Sequence, residues 1–257
     1  MNILHSLKIE WLKLKNYNAF WILLGLFVLS IFGINYIMIE TMPRGQITEA
    51  LAIFSFPKVW HTASYMSSFM LLFPGLIMIM TVTGEFGFRT HRQNVIDGMS
   101  RTNFITVKML VALILAVIST LAVFVFALIF GILEGSTVSF DGVKYIFLFF
   151  LQAIDYIGIA LLFSMFLRKT GLCVGIYILY ALILENVISS ILARNVGQIA
   201  YYLPLESSDK LIPMPIFKEF TNQIVKTPDV GNLLIACILY IIMYVIVCKL
   251  RFEKADL

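Results

Sequence analysis

Six stretches of this chain, each about twenty residues or longer, carry no lysine or arginine at their centres: 20–39, 63–83, 109–133, 145–167, 171–192 and 230–248. A bilayer core of roughly 30 Å is crossed by about 20 apolar helical residues, so each stretch is long enough to span. Their apolar residues surround the helix instead of gathering on one stripe, which suits helices packed in lipid. Composition agrees, with 60% of residues hydrophobic and 13% charged, against about 45–50% and 25% in soluble domains. The chain therefore reads as an all-α polytopic membrane protein with six transmembrane helices. The first stretch is too long for a typical signal-peptide core and no small-residue cleavage site follows it, so a retained helix is expected. Cys173, Cys237 and Cys248 fall inside apolar stretches without metal-ligand spacing and read as buried thiols.

Six spans put both termini on one side. Twelve basic residues flank that side: Lys8, Lys13, Lys15, Arg89, Arg92, Arg101, Lys108, Arg168, Lys169, Lys249, Arg251 and Lys254. Seven lie on the other, four of them in one long loop. By the positive-inside rule both termini are expected in the cytoplasm, in a bacterial inner membrane. The net charge of +4 is thus a topology signal, and no nucleic-acid partner is expected.

Residues 2–15 precede the first span and read as an amphipathic interfacial helix. Leu4, Leu7, Trp11 and Leu14 recur at helical spacing, with His5, Lys8, Glu10, Lys13 and Lys15 elsewhere. Residues 40–62 read as an external loop and 134–143 as a tight external turn. Residues 193–229 read as one long external segment containing Pro204, Pro213, Pro215 and Pro228. The largest cytoplasmic loop, 84–103, is dense in charge but is interrupted by Phe86, Phe88, Val95 and Ile96. A solvated loop has no need of such residues. A short helix that docks through an apolar patch inside a polar rim does.

This loop resembles that of the permease subunits of type-two ATP-binding-cassette (ABC) transporters. There an acidic residue opens the loop, a Gly/Thr/Arg-rich turn follows, and Ser-Arg closes it about fifteen residues on. Glu85, Gly87-Phe88-Arg89-Thr90 and Ser100-Arg101 match that pattern, with Lys108 at the next helix; Gly98-Met99 stand where the family has proline before Ser-Arg. The basic amino-terminal elbow, the six spans and the long segment before the last span extend the likeness over nearly the whole chain. The resemblance implies a cytoplasmic coupling helix at about 85–97 seated in a partner ATPase. Its contacts would come from Glu85, Phe86, Phe88, Arg89, Arg92, Val95, Ile96, Asp97, Ser100 and Arg101. It further implies two permease subunits, identical or related, forming the membrane path, with two cytoplasmic ABC ATPase subunits supplying energy. The family exports drugs, antimicrobial peptides and glycan or lipid precursors. The chain has no G-x-x-x-x-G-K-[ST] phosphate loop. No cofactor is expected on it; ATP and Mg belong to the partner, and the chain is not expected to be an enzyme.

Gln152 and Asp155 lie in the fourth span, Glu185 and Asn186 in the fifth. An ionised group at the bilayer centre costs roughly 2.5–3.5 kcal/mol on insertion scales, so such residues seldom face lipid. Three readings stay open: a polar path for cargo, a proton relay, or structural groups between helices. For the whole chain the alternatives to an ABC exporter are a proton-coupled secondary transporter using Asp155 and Glu185, or a non-transporting subunit of an envelope complex. His5, His61 and His91 lie on separate segments outside the spans, so no metal site and no nucleophilic pairing is expected.

Overall fold

The computed structural model describes residues 3–41, 53–88, 90, 96, 98–215 and 228–253. Every regular element among them is helical. The order is α1 (Ile3–Lys15), α2 (Asn18–Thr41), α3 (Val59–Ser68), α4 (Leu72–Gly87), α5 (Arg101–Leu133) and α6 (Lys144–Leu167). Then follow α7 (Thr170–Leu179), a π turn (Tyr180–Leu184), α8 (Glu185–Val196), a 3-10 turn (Gly197–Tyr202), α9 (Pro204–Asp209) and α10 (Val230–Glu253). Five runs are long and apolar enough to cross a membrane, six when the bent pair α3–α4 counts as one. The chain is a multi-pass, all-α membrane protein.

The bend has a local cause. α3 and α4 meet at 46° across Phe69–Leu71, whereas the sequence reads 63–83 as one unbroken span. Pro74 lacks an N–H, and its ring collides with the carbonyl four residues back, at Met70, so a regular helix cannot run through that turn. The backbone tightens instead: the Met70, Leu71 and Phe73 amides donate to Ser67, Ser68 and Met70 at 3.0, 3.1 and 3.1 Å. Gly75 then lets Tyr177 approach, because a Cβ there would sit 2.0 Å from the Tyr177 hydroxyl and 2.4 Å from Cζ. Gly75→Ala therefore overpacks a fully buried ring, at a cost of about 1–3 kcal/mol. Thermal unfolding in detergent checks this, and a variant melting with the wild type would mean that Tyr177 is free to move aside.

α6 is the axis of the bundle, touching α3, α4, α5, α7, α9 and α10. Its inward positions are often small (Ala153, Ala160, Ser164), which lets neighbouring backbones come close without a hydrophobic driving force. The two chain ends meet on one face. Phe252 near the end of α10 stacks on Phe104 at the start of α5, with centroids 4.6 Å apart, and lies 6.5 Å from Phe86. α1 docks beside them. This is called the terminal face below.

Two elements add detail to the sequence reading. α1 packs onto the bundle through Ser6, Glu10 and Leu14, while Leu4 and Trp11 point outward. The side bearing Glu10, together with Leu14 of the apolar stripe, faces the protein, while Leu4 and Trp11 of that stripe are exposed, with Trp21 donating from Nε1 to the Lys15 carbonyl at 2.9 Å. Within the segment 193–229, a length that usually carries short helices or a function, the described residues form short helices. α8 continues to Val196, and α9 then folds back against α6 and α10, burying Leu205, Glu206, Ser207, Ser208, Leu211 and Ile212. Its Asp209 reaches Gln152 and Tyr156, about two and three turns into α6 from Lys144. α9 thus folds back along α6, and its start is set by Pro204 in the first turn.

Candidate functional site

On the terminal face four side chains from three helices form an alternating ring of charge. Lys13 Nζ lies 2.9 Å from Glu10 Oε1 and 2.7 Å from Glu85 Oε1. Lys108 Nζ lies 2.5 Å from Glu10 Oε2 and 3.0 Å from Glu85 Oε1. Helical spacing makes this possible. Glu10 sits four residues from both Ser6 and Leu14 on the docking side of α1, and Lys13 is three residues on. Lys108 is four residues from Phe104, whose ring lies 5.3 Å beneath its ammonium. Lys108 is wholly buried and Glu10 only 3% exposed, whereas the Lys13 side chain is 34% exposed. Burial by itself would push the Glu10 carboxyl up, but Lys108 and then Lys13 outweigh it and hold the group below the ordinary carboxylate range. Burial works to lower Lys13, and Glu85 and Glu10 together hold it above the usual lysine value. A buried ring of this kind orients helices even where its net contribution to stability is small.

The ring brackets the loop expected to carry the coupling helix. Glu85 ends α4 just before it, and Lys108 lies in the second turn of α5 just after it. Of the expected contact residues, Glu85 and Phe86 turn inward; the Arg168 guanidinium lies 5.2 Å over the Phe86 ring. Phe88 and Ile96 are 84% and 83% exposed and form the outward apolar pair. Ser100 is the N-cap of α5, its hydroxyl accepting from the Asn103 amide at 3.2 Å, and Arg101 opens that helix. Gly98, at φ 93°, makes the turn ahead of the cap. Arg89, Arg92, Val95 and Asp97 lie outside the described residues.

A second polar site lies inside the bundle. Gln152 Nε2 donates to Asp209 Oδ1 at 2.7 Å, and the Tyr156 hydroxyl donates to the same carboxylate at 3.0 and 3.2 Å. Glu185 Oε1 accepts from the Leu205 and Glu206 amides at 2.6 and 2.8 Å, capping α9 from the neighbouring span. Asp155 is completely buried. The Ser208 and Tyr244 hydroxyls lie beside it, yet neither Asp155 oxygen closes a hydrogen bond with any described residue. Asn186 is not part of this site: it faces outward and donates to the Leu182 carbonyl of its own helix at 3.1 Å.

The π turn aims Glu185. Cys173, Tyr177, Ala181, Glu185 and Ser189 are all buried and recur every fourth residue. On a regular α-helix that recurrence drifts about 40° per step, so Ser189 would end roughly 160° from Cys173. The π turn at Tyr180–Leu184 holds an extra residue, cancels much of the drift and returns Glu185 and Ser189 to the inner side. The recurrence is one of burial, and the sequence hides it because most residues between these positions are apolar too. Asp209, Ser208 and Tyr244 had no signal either, since two fall in a proline-rich stretch and the third in an apolar span. Cys173, Cys237 and Cys248 are buried free thiols, and no group of potential ligands among the described residues could hold a metal ion.

The sequence profile of the family described as ABC-2 family transporter protein matches residues 6–192. The match takes in α1, the junction and the spans through most of α8, and stops before α9 and α10. A search of curated proteins found no match. With a multi-pass helical bundle, an elbow helix and a loop bracketed by a charge ring, a match over this much of the sequence identifies the chain: it belongs to the ABC-2 transporter family, as a membrane permease component of an ABC transporter.

Proposed function

We propose that this chain is the permease subunit of an ATP-driven exporter in a bacterial cytoplasmic membrane, with the terminal face in the cytoplasm. Two such subunits, identical or related, form the path; separate ABC ATPase subunits bind ATP and Mg and dock on the loop around Phe88 and Ile96. The observation that carries this reading is the charge ring. It ties the elbow helix to the helices on both sides of the loop, so a push on the loop moves α1, α4 and α5 together. Phe88 and Ile96 are the kind of exposed apolar anchors that a cleft in a partner buries. The apolar spans favour an amphipathic or hydrophobic cargo, such as a drug, an antimicrobial peptide or a glycan or lipid precursor. A proton-coupled secondary transporter is the second reading; it draws on the broken span α3–α4 and the buried acids, features common at transporter midplanes.

A mild-detergent pull-down from the native membrane separates the two. Co-purification of a P-loop ATPase, reduced about tenfold or more by the pair Phe88→Asp and Ile96→Asp, is the expected result. Wild-type chain recovered without an ATPase, and with no response to nucleotide, would overturn the exporter reading and favour proton coupling.

A further inference from the structure

We propose that the pocket around Asp155 holds one bound proton while α9 is docked, and that loss of this proton on alkalinisation releases α9 from the bundle. The argument is a count of donors against acceptors. Besides both Asp155 oxygens, the acceptors Gln152 Oε1 and Glu185 Oε2 and one donor, the Tyr244 hydroxyl, are buried without partners among the described residues, so acceptors outnumber donors. The other two acids have groups that stabilise a charge: Asp209 accepts from Gln152 and Tyr156, and Glu185 accepts from two backbone amides. Asp155 has none. A proton there turns one acceptor into a donor and removes a charge that nothing nearby balances.

Among the described residues the surroundings supply no substitute cation. Tyr177, Tyr180 and Glu185 face Asp155 from the fifth span, Ser208 and Asp209 from α9, and Cys237, Tyr240 and Tyr244 from α10. α6 itself adds Tyr156. The charged side chains of α4 and α5 are Glu85, Arg101 and Lys108, all toward the terminal face, and Tyr65 of α3 lies by Asp209 and Lys210. Lys210 is engaged by Glu206 at 3.1 Å, its side chain 38% exposed. A charge appearing on Asp155 would therefore repel Asp209, which sits on α9, and Glu185, which caps it. Both carboxylate contacts of α9 weaken together.

The test uses the full chain in nanodiscs of phosphatidylethanolamine and phosphatidylglycerol, and needs no ATPase, so it stands apart from the exporter reading. Amide exchange over residues 204–212, corrected for the intrinsic pH dependence of exchange, is followed from about pH 6 to 9. Protection is expected to fall about tenfold or more as pH rises in the wild type. Asp155→Asn and Asp155→Leu, neutral throughout, should stay protected; should the leucine variant not fold, the near-isosteric asparagine still decides. Asn186→Asp, which puts a carboxyl on the outward side, should follow the wild type. Exchange independent of pH in the wild type, or a fall that persists in Asp155→Asn, overturns the proposal. Protection that follows sodium concentration at constant pH also overturns it, assigning the site to a metal cation.

Discussion

Lys108→Met is expected to detach α1 from the bundle and to destabilise the protein by about 3–5 kcal/mol, the usual effect of leaving buried charges without their partner. Glu10 and Glu85 would then lose their buried ammonium partner, and Lys13, a third exposed, would remain 2.9 and 2.7 Å from them. Thermal unfolding measures the loss, and thiol labelling of a Ser6→Cys variant reports undocking, since Ser6 is wholly buried. Lys13→Met should cost far less, within about 1 kcal/mol, because that side chain is a third exposed. The pH range follows from the two shifted groups. Glu10 is held below its ordinary value of 4.5, so its contribution is complete above that pH and is lost as pH falls through the lowered value. Lys13 is held above 10.5, so its contribution is complete below that pH and is lost only above the raised value. The elbow should stay docked between about pH 5 and 10. Wild-type melting and unlabelled Ser6→Cys in the Lys108→Met background would remove the ring as the lock.

Glu185→Leu is expected to free α9 at every pH. The substitution strips the acceptor from the Leu205 and Glu206 amides, and each buried donor left unsatisfied costs about 1–3 kcal/mol. Rapid exchange over 204–212 is the expected readout. Glu185→Gln keeps an acceptor oxygen and should lose much less. The contrast with Asp155 is diagnostic, because removing one acid undocks α9 while removing the other holds it in place. Protection of 204–212 that survives Glu185→Leu would show that α9 is held by its apolar contacts, Leu205, Leu211 and Ile212.

The apolar runs were legible because a membrane span announces itself by length alone, and the basic flanks marked one face. Pro74 carries the bend and Ser100 the cap of α5, but neither was read: 63–83 is apolar on both sides of the proline, and Ser100 stood with Arg101 as the close of the loop. What the sequence could not display were pairings between distant residues. Glu10 and Lys108 are 98 positions apart, and nothing in either neighbourhood says that an acid on an elbow helix turns inward. α9 was hidden for a different reason. Glu206, Ser207, Ser208, Asp209 and Lys210 look solvated, and polar composition does not distinguish side chains that bond water from side chains that bond one another. Among the acids inside the bundle, Asp155 and Glu185 stood out as charges in apolar runs; Asn186 stood out equally and proved to face outward, because a single residue's offset on a helix decides its side.

The charge ring has an electrical consequence. Two carboxylates against two ammonium groups carry no formal net charge. A unit charge carried through 100 mV exchanges about 2.3 kcal/mol with the membrane potential; a neutral quartet displaced as one body exchanges none. The ring itself therefore adds no voltage dependence to movement of the elbow with α4 and α5, and any such dependence falls to charges outside it, such as Lys8 and Lys15 of α1 and Arg101 of α5.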